Sequence, residues 1–265
     1  MSERISTTDL IEYWYSRVQT DLTPFADPGT TISVSRRNRV VTCDWIQRGD
    51  ARSADLAISF EGVSVTFRGQ SLSYKSFFAS VHMADLLQLA KMTVQARKAR
   101  PYVDTRARLE GADHEESALT LIRKTLTSPQ IADSTLLMMI TGEAGAGKTS
   151  VLQELVRSQA IAYAHGQSQN LYLYINAQGR ALARFTEAVA AELDELRSPL
   201  TFHQVVPLAR LGLIVPVIDG FDELLGVGGY GEAISSIAAF VDDLYGEGQI
   251  IAASRSTYYE QEFLS

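Results

Sequence analysis

The chain has 265 residues, 46% of them hydrophobic and 21% charged, with a formal net charge of −7. This length and composition provide one large or two modest domains with real cores and exclude a fibrous or broadly disordered chain. The acidic balance argues against a general polyanion binder, and the single cysteine, Cys43, excludes an intramolecular disulfide or a cysteine metal cluster.

Cys43 reads as a small core residue in a reducing, cytoplasmic setting. No apolar run approaches the about 20 residues that span a bilayer, and Met1-Ser2-Glu3-Arg4 leads into no signal-peptide core. A soluble protein with no membrane partner is the expectation.

In chain order, residues 8–20 place Leu10, Ile11, Trp14, Tyr15 and Val18 at helical spacing, with Thr7, Thr8 or Asp9 as N-cap. Pro24, Pro28 and Gly29 mark a loop over 21–30. From 31 to 68 the pattern alternates through Ile32 and Val34, Val40 to Cys43, Leu56, Ile58 and Phe60, then Val63, Val65 and Phe67, which predicts a small antiparallel sheet. Residues 74–100 return to helical spacing and end in a basic turn before Pro101. A linker at 100–111 then separates a small α+β domain, 1–110, from a second domain, 111–265.

In the second domain, apolar strand-like runs at 136–140, 171–175, 213–218 and 249–253 alternate with helical stretches at 149–164, 181–196 and 232–245. This is the pattern of a parallel sheet covered on both faces. The proline at 216 is a misfit in a central strand and predicts a bulge.

Between the first run and its helix stands Gly142-Glu143-Ala144-Gly145-Ala146-Gly147-Lys148-Thr149, followed by Ser150. Phosphates need many converging donors, and glycines let consecutive backbone N–H groups approach them without Cβ clashes. Lys148 supplies a point charge for the β- and γ-phosphates, Thr149 a magnesium-coordinating hydroxyl, and the helix its positive end. These residues predict an ATP and Mg2+ site.

Such a site needs a carboxylate on a neighbouring strand and a second acid to orient water. Asp219 ends the run 213–218 and is assigned to the metal; Asp222 and Glu223, after Gly220 and Phe221, are assigned to the water. Arg255, in Ser254-Arg255-Ser256 after the run 249–253, is placed to sense the γ-phosphate.

Together these residues resemble the STAND class of P-loop NTPases, NACHT-like within it. Asp219-Gly220-Phe221-Asp222-Glu223 is the most discriminating segment. The resemblance covers the last half of the chain and implies an NTPase switch whose nucleotide state controls homo-oligomerisation and effector output. Innate immunity or antiphage defence is the implied setting, with a protein or nucleic-acid trigger. It also implies a sheet of five strands ordered 5-1-4-3-2. Because the chain ends at Ser265, soon after the fourth, an N-terminal portion of a larger protein is expected.

Two other readings stand beside this one: an AAA+-type mechanical ATPase remodelling protein or nucleic acid, and a non-catalytic module in which nucleotide is a structural ligand. A nuclease built on Asp55, Glu61 and Lys75 lacks the Glu-x-Lys spacing. Arg36, Arg37, Arg39, Arg97, Lys98 and Arg100 read as a solvated face. His82, His114, His165 and His203 have no metal spacing, and His114-Glu115-Glu116 reads as the polar start of a helix.

Overall fold

Strict apolar-polar alternation has one stable outcome in water, a sheet with one face turned to a core. In the computed structural model, which describes residues 7–99, 101–129, 134–177, 184–224 and 230–257, that sheet is an antiparallel meander. Helix α1 (Thr7–Leu22) precedes it, and β1 (Ser33–Arg37), β2 (Val40–Gln47), β3 (Asp50–Ser59), β4 (Gly62–Phe67) and β5 (Gln70–Ser73) pair in chain order. Strand β5 lies outside the predicted runs because Gln70-Ser71-Leu72-Ser73 carries too little apolar character.

Val41, Cys43 and Trp45 of β2, Ala54, Leu56 and Ile58 of β3, and Val63, Val65 and Phe67 of β4 are all buried. Burial, reinforced by Asp44 and Asp55, pushes the Cys43 thiol up to about 12, so it behaves as an inert core group. The Asp27 carboxylate accepts from the backbone N–H groups of Arg48 (2.6 Å) and Gly49 (2.7 Å), pinning the turn between β2 and β3.

The single helix expected over 74–100 is two helices, α2 (Tyr74–Ala79) and α3 (Leu86–Ala96). Ser80 closes α2: its backbone turns extended (ψ 164°) and its hydroxyl donates to Phe77 O at 2.7 Å. Asp85 then takes a left-handed φ of +46°. The chain divides here into two compact units, Met1–Asp85 and Leu86–Ser265. Helix α3 is thus part of the second unit, where it packs against the helix that follows the glycine-rich loop.

In the second unit, β6 (Arg106–Ala107), inside the region expected to be linker, pairs antiparallel with β7 (Glu116–Ser117); Arg100 lies outside the described residues. The helix expected to start at His114 starts later, as α4 (Ala118–Thr127), because Ser117 caps it by accepting from Thr120 N–H. Then follow β8 (Leu136–Gly142), α5 (Lys148–Ala164), β9 (Leu171–Asn176), α6 (Phe185–Glu195), α7 (Phe202–Arg210), β10 (Ile214–Asp219), α8 (Phe221–Leu224), α9 (Tyr230–Asp243) and β11 (Gln249–Arg255). Residues 181–183 of the predicted 181–196 helix lie outside the described residues.

The four long strands are all parallel and ordered β8-β11-β10-β9, which is 1-4-3-2 by position in this unit. This is the α/β fold of a P-loop NTPase, with the antiparallel sheet preceding it in the chain. One core joins Ile122 and Leu126 of α4 and Val151, Leu152, Leu155 and Val156 of α5 to Tyr172, Tyr174, Val215, Val217, Ile251 and Ala253 of the sheet. Phe185, Phe202 and Phe240 of α6, α7 and α9 form a second, aromatic cluster.

No bulge occurs at Pro216. Its register with β9 is unbroken, from Ile214 opposite Leu171 to Asp219 opposite Asn176. Pairing with β11 begins only at Val217, so the proline precedes the start of that ladder. Among the described residues no helix is long and apolar enough to cross a membrane.

Gly248 sets where β11 begins. Its φ is +80°, and a Cβ there would meet Ala209 O at 2.6 Å. Gly166, also at positive φ (+70°), has open space around it. Gly248→Ala should therefore cost at least about 2–3 kcal/mol in urea unfolding, from backbone strain plus the clash. Gly166→Ala should cost only about 1 kcal/mol, the left-handed term alone.

Candidate functional site

Parallel strands all end on one side, so the segments following β8, β10 and β11 converge. The register fixes this: Arg255 lies opposite Gly142, and Ala253 opposite both Ile140 and Asp219. The cleft at these ends, about 400 Å³, is lined by Ala144, Gly145, Ala146, Gly147, Lys148, Thr149, Ser150, Asp219, Gly220, Asp222, Glu223, Ala253 and Arg255. Of the residues assigned from the sequence to nucleotide, metal and water, only Gly142 and Glu143 stand outside this lining.

Those two have another part. Lys148 Nζ donates to Gly142 O (2.6 Å) and Glu143 O (3.0 Å), so the ammonium is held inside the curl of its own loop. Gly147, at φ +88°, caps α5, and its Cα passes so near Thr105 that a Cβ would lie 3.3 Å from Thr105 Oγ1. The positive end of the 17-residue α5 therefore opens directly into the cleft.

Asp219 is 1% exposed at the end of β10, whose six residues are all buried. Its Oδ2 accepts a 2.7 Å hydrogen bond from the Tyr174 hydroxyl of β9. Burial first, then the Asp219 carboxylate, pushes the Tyr174 phenol well above the ordinary tyrosine range, so it remains a donor. Gln153 Nε2 on α5 lies 3.5 Å from the same hydroxyl. The Tyr174 ring carries the Arg97 guanidinium 4.1 Å from its centroid, and Arg97 pairs with Glu192 of α6.

Arg97 consequently does not lie on the solvated basic face expected for it. Its side chain is only 13% exposed, and Glu192 is 1% exposed. Tyr174 was also invisible as a site residue. A tyrosine in an apolar strand signals a hydroxyl in need of a partner. Which partner it finds depends on the β9–β10 register.

After Asp219, a turn closed by Glu223 N–H to Gly220 O (2.9 Å) starts α8 and brings its acids beside β11. Arg255 bridges both: Nε to Asp222 Oδ2 at 3.3 Å and Nη2 to Glu223 Oε1 at 3.5 Å. Two cations and three carboxylates thus share one cleft, with Thr149 at its helical rim. The donor set fits a magnesium triphosphate: backbone N–H groups and Lys148 for the phosphates, hydroxyl and carboxylate oxygens for a hard cation. Among the described residues no group of three or more His, Cys, Asp or Glu is gathered closely enough to hold a metal ion by itself, in the cleft or outside it. Asp55 instead accepts from Thr42 Oγ1 at 2.7 Å on the exposed face of the first sheet.

Residues 131–251 match the family model of the AAA domain. No curated protein matches the chain. The matched stretch spans the glycine-rich loop, the Asp219 strand and all four parallel strands as far as Ile251, and it identifies a nucleotide-binding P-loop NTPase domain.

The Arg255 side chain is 57% exposed, and ion pairs of that exposure contribute about 0–1 kcal/mol. Arg255→Ala should therefore change the unfolding free energy by less than about 1 kcal/mol, read from denaturant midpoints in low salt. A larger loss would make Arg255 part of the scaffold rather than a side chain free to change partners.

Proposed function

We propose that this chain carries an ATP-dependent switch of the STAND class, NACHT-like in its motifs. The cleft that gathers Lys148, Thr149, Asp219, Asp222, Glu223 and Arg255 at one end of a parallel sheet carries this reading. The Asp219-Gly220-Phe221-Asp222-Glu223 motif and the 1-4-3-2 strand order support it. The AAA domain match favours a second reading, a mechanical ATPase of the AAA+ kind, for which steady, partner-stimulated turnover is the distinguishing sign.

Backbone N–H groups of residues 143–150 bind the phosphates. Lys148 exchanges the carbonyls of Gly142 and Glu143 for the β- and γ-phosphate oxygens, a trade that costs little because the ammonium is already in place. Thr149 Oγ1 and Asp219 hold magnesium, which when bound neutralises charge building on the bridging and γ-phosphate oxygens. Asp222 and Glu223 orient the attacking water, and Arg255 leaves them for the γ-phosphate. A change of partner by Arg255 frees both acids only when a triphosphate is present, which is the behaviour of a switch. Nucleotide-dependent homo-oligomerisation, with a protein or nucleic-acid trigger and an output in immune or antiphage defence, is the role that follows. The unit Met1–Asp85 is then the module that the switch controls.

Lys148→Ala should weaken ATP binding roughly ten- to hundredfold in calorimetric titration, the loss of charge-assisted bonds worth about 1.5–3 kcal/mol. Unchanged affinity in a folded variant removes the phosphate-site assignment. Replacing Asp222 by Asn together with Glu223 by Gln should lower ATP turnover by on the order of 10²-fold or more and leave ATP affinity nearly intact, because water-orienting groups act in the transition state. Equal losses would assign the pair to metal holding or folding. A domain that binds ATP tightly with no turnover, indifferent to these changes, would instead be a nucleotide-stabilised interaction module.

A further inference from the structure

Asp219 is buried at the end of an apolar strand, so its geometry is imposed by the groups that donate to it. The Tyr174 hydroxyl of β9 does so at 2.7 Å. This bond leaves the cleft and leads backward into the core. There the tyrosine ring is covered by the Arg97 guanidinium, and Arg97 is locked to the buried Glu192.

The arrangement is expensive for a purely structural contact. A buried arginine–glutamate pair is a poor stabiliser compared with apolar residues of the same volume. Arg97 Nε, moreover, is buried without a hydrogen-bonding partner among the described residues. What the pair does accomplish is to place a flat cation on one face of Tyr174. A ring held this way cannot swing its hydroxyl from Asp219 without also breaking the stacking contact.

Resting on the reading of Asp219 as a metal holder, we propose that Tyr174 is a positioning residue for that carboxylate and that the Arg97–Glu192 pair fixes Tyr174 in turn. The strength of magnesium binding is then set partly from Arg97, which immediately follows α3 and lies outside the lining of the nucleotide cleft. Groups that orient a metal's ligands from behind commonly govern affinity 10–100-fold without touching the ion.

The test titrates ATP binding calorimetrically at a series of Mg2+ concentrations and in excess EDTA. Tyr174→Phe, which removes one oxygen, should raise the Mg2+ concentration for half of the metal-dependent gain in ATP affinity by roughly tenfold or more, with affinity in EDTA unchanged. Arg97→Met paired with Glu192→Gln, which leaves no uncompensated charge, should move the Mg2+ requirement in the same direction. Added to Tyr174→Phe, that pair should shift it no further, since both act through one contact.

Asp219→Asn is the control for the underlying reading. If it abolishes the Mg2+ effect and Tyr174→Phe leaves the wild-type requirement, the inference about Tyr174 is overturned and the metal site stands. If neither change alters the Mg2+ requirement, Asp219 does not hold the metal and both readings fall. Should Tyr174→Phe lose ATP affinity in EDTA as well, the paired Arg97 and Glu192 variant carries the test. A wild-type Mg2+ requirement in that pair refutes the role given to Arg97.

Discussion

A carboxylate cannot sit at the end of a wholly buried strand unless something bonds to it. Taking it out of water unpaired costs far more than a domain's entire stability margin. Asp219 meets that condition through Tyr174, and much of the second unit follows from it. The bond requires β9 beside β10 in a register that sets Tyr174 opposite Val217, two residue pairs before Asp219, which lies opposite Asn176. It also requires Tyr174 and α5 to share one face of the sheet, so that the loop preceding α5 arrives beside the same carboxylate. The apolar residues around it keep the dielectric low and the acid's position narrow.

Charge in the cleft is balanced by neighbours that can exchange. Lys148 rests on two carbonyls of its own loop, and Arg255 rests on two acids of α8. Neither cation is deeply committed: Lys148 bonds to neutral carbonyls, and the Arg255 side chain is 57% exposed. The buried pair Arg97 and Glu192 is of the other kind. It is removed from water, and breaking it leaves a charge stranded. The unit thus combines a fixed network behind the strand ends with a loose one in front of them, which suits a site that must hold its geometry while its ligands change.

The first unit shows how a small sheet is assembled from alternation alone. Its core is supplied by every second residue of β2, β3 and β4, supported by Phe77 and Phe78 of α2. Trp45 packs on Phe67 and Phe77 with ring centroids 6.0 and 6.3 Å apart. Asp21, fully buried, is held by Arg17 Nε at 2.9 Å and the Tyr74 hydroxyl at 3.0 Å. A carboxylate secured by a tyrosine hydroxyl therefore occurs in both units, each time where an acid has been drawn out of water.

The sequence by itself determined the glycine-rich loop, the four parallel strands, the antiparallel sheet and the acids after β10. Each of these is written in short-range spacing: glycines within eight residues, period-two alternation, a run of apolar residues ending in Asp219. It misjudged the helix over 74–100, because Ser80 breaks a pattern whose apolar spacing continues on both sides. It missed β5 and α7, the one too polar and the other interrupted by Pro207, to stand out locally. Only the tertiary structure decided that Arg97 packs on Tyr174 and pairs with Glu192, and that the Tyr174 hydroxyl bonds to Asp219. The partners there are 95 and 45 residues apart, and no local pattern carries a contact that exists only once the strands have taken their order and register.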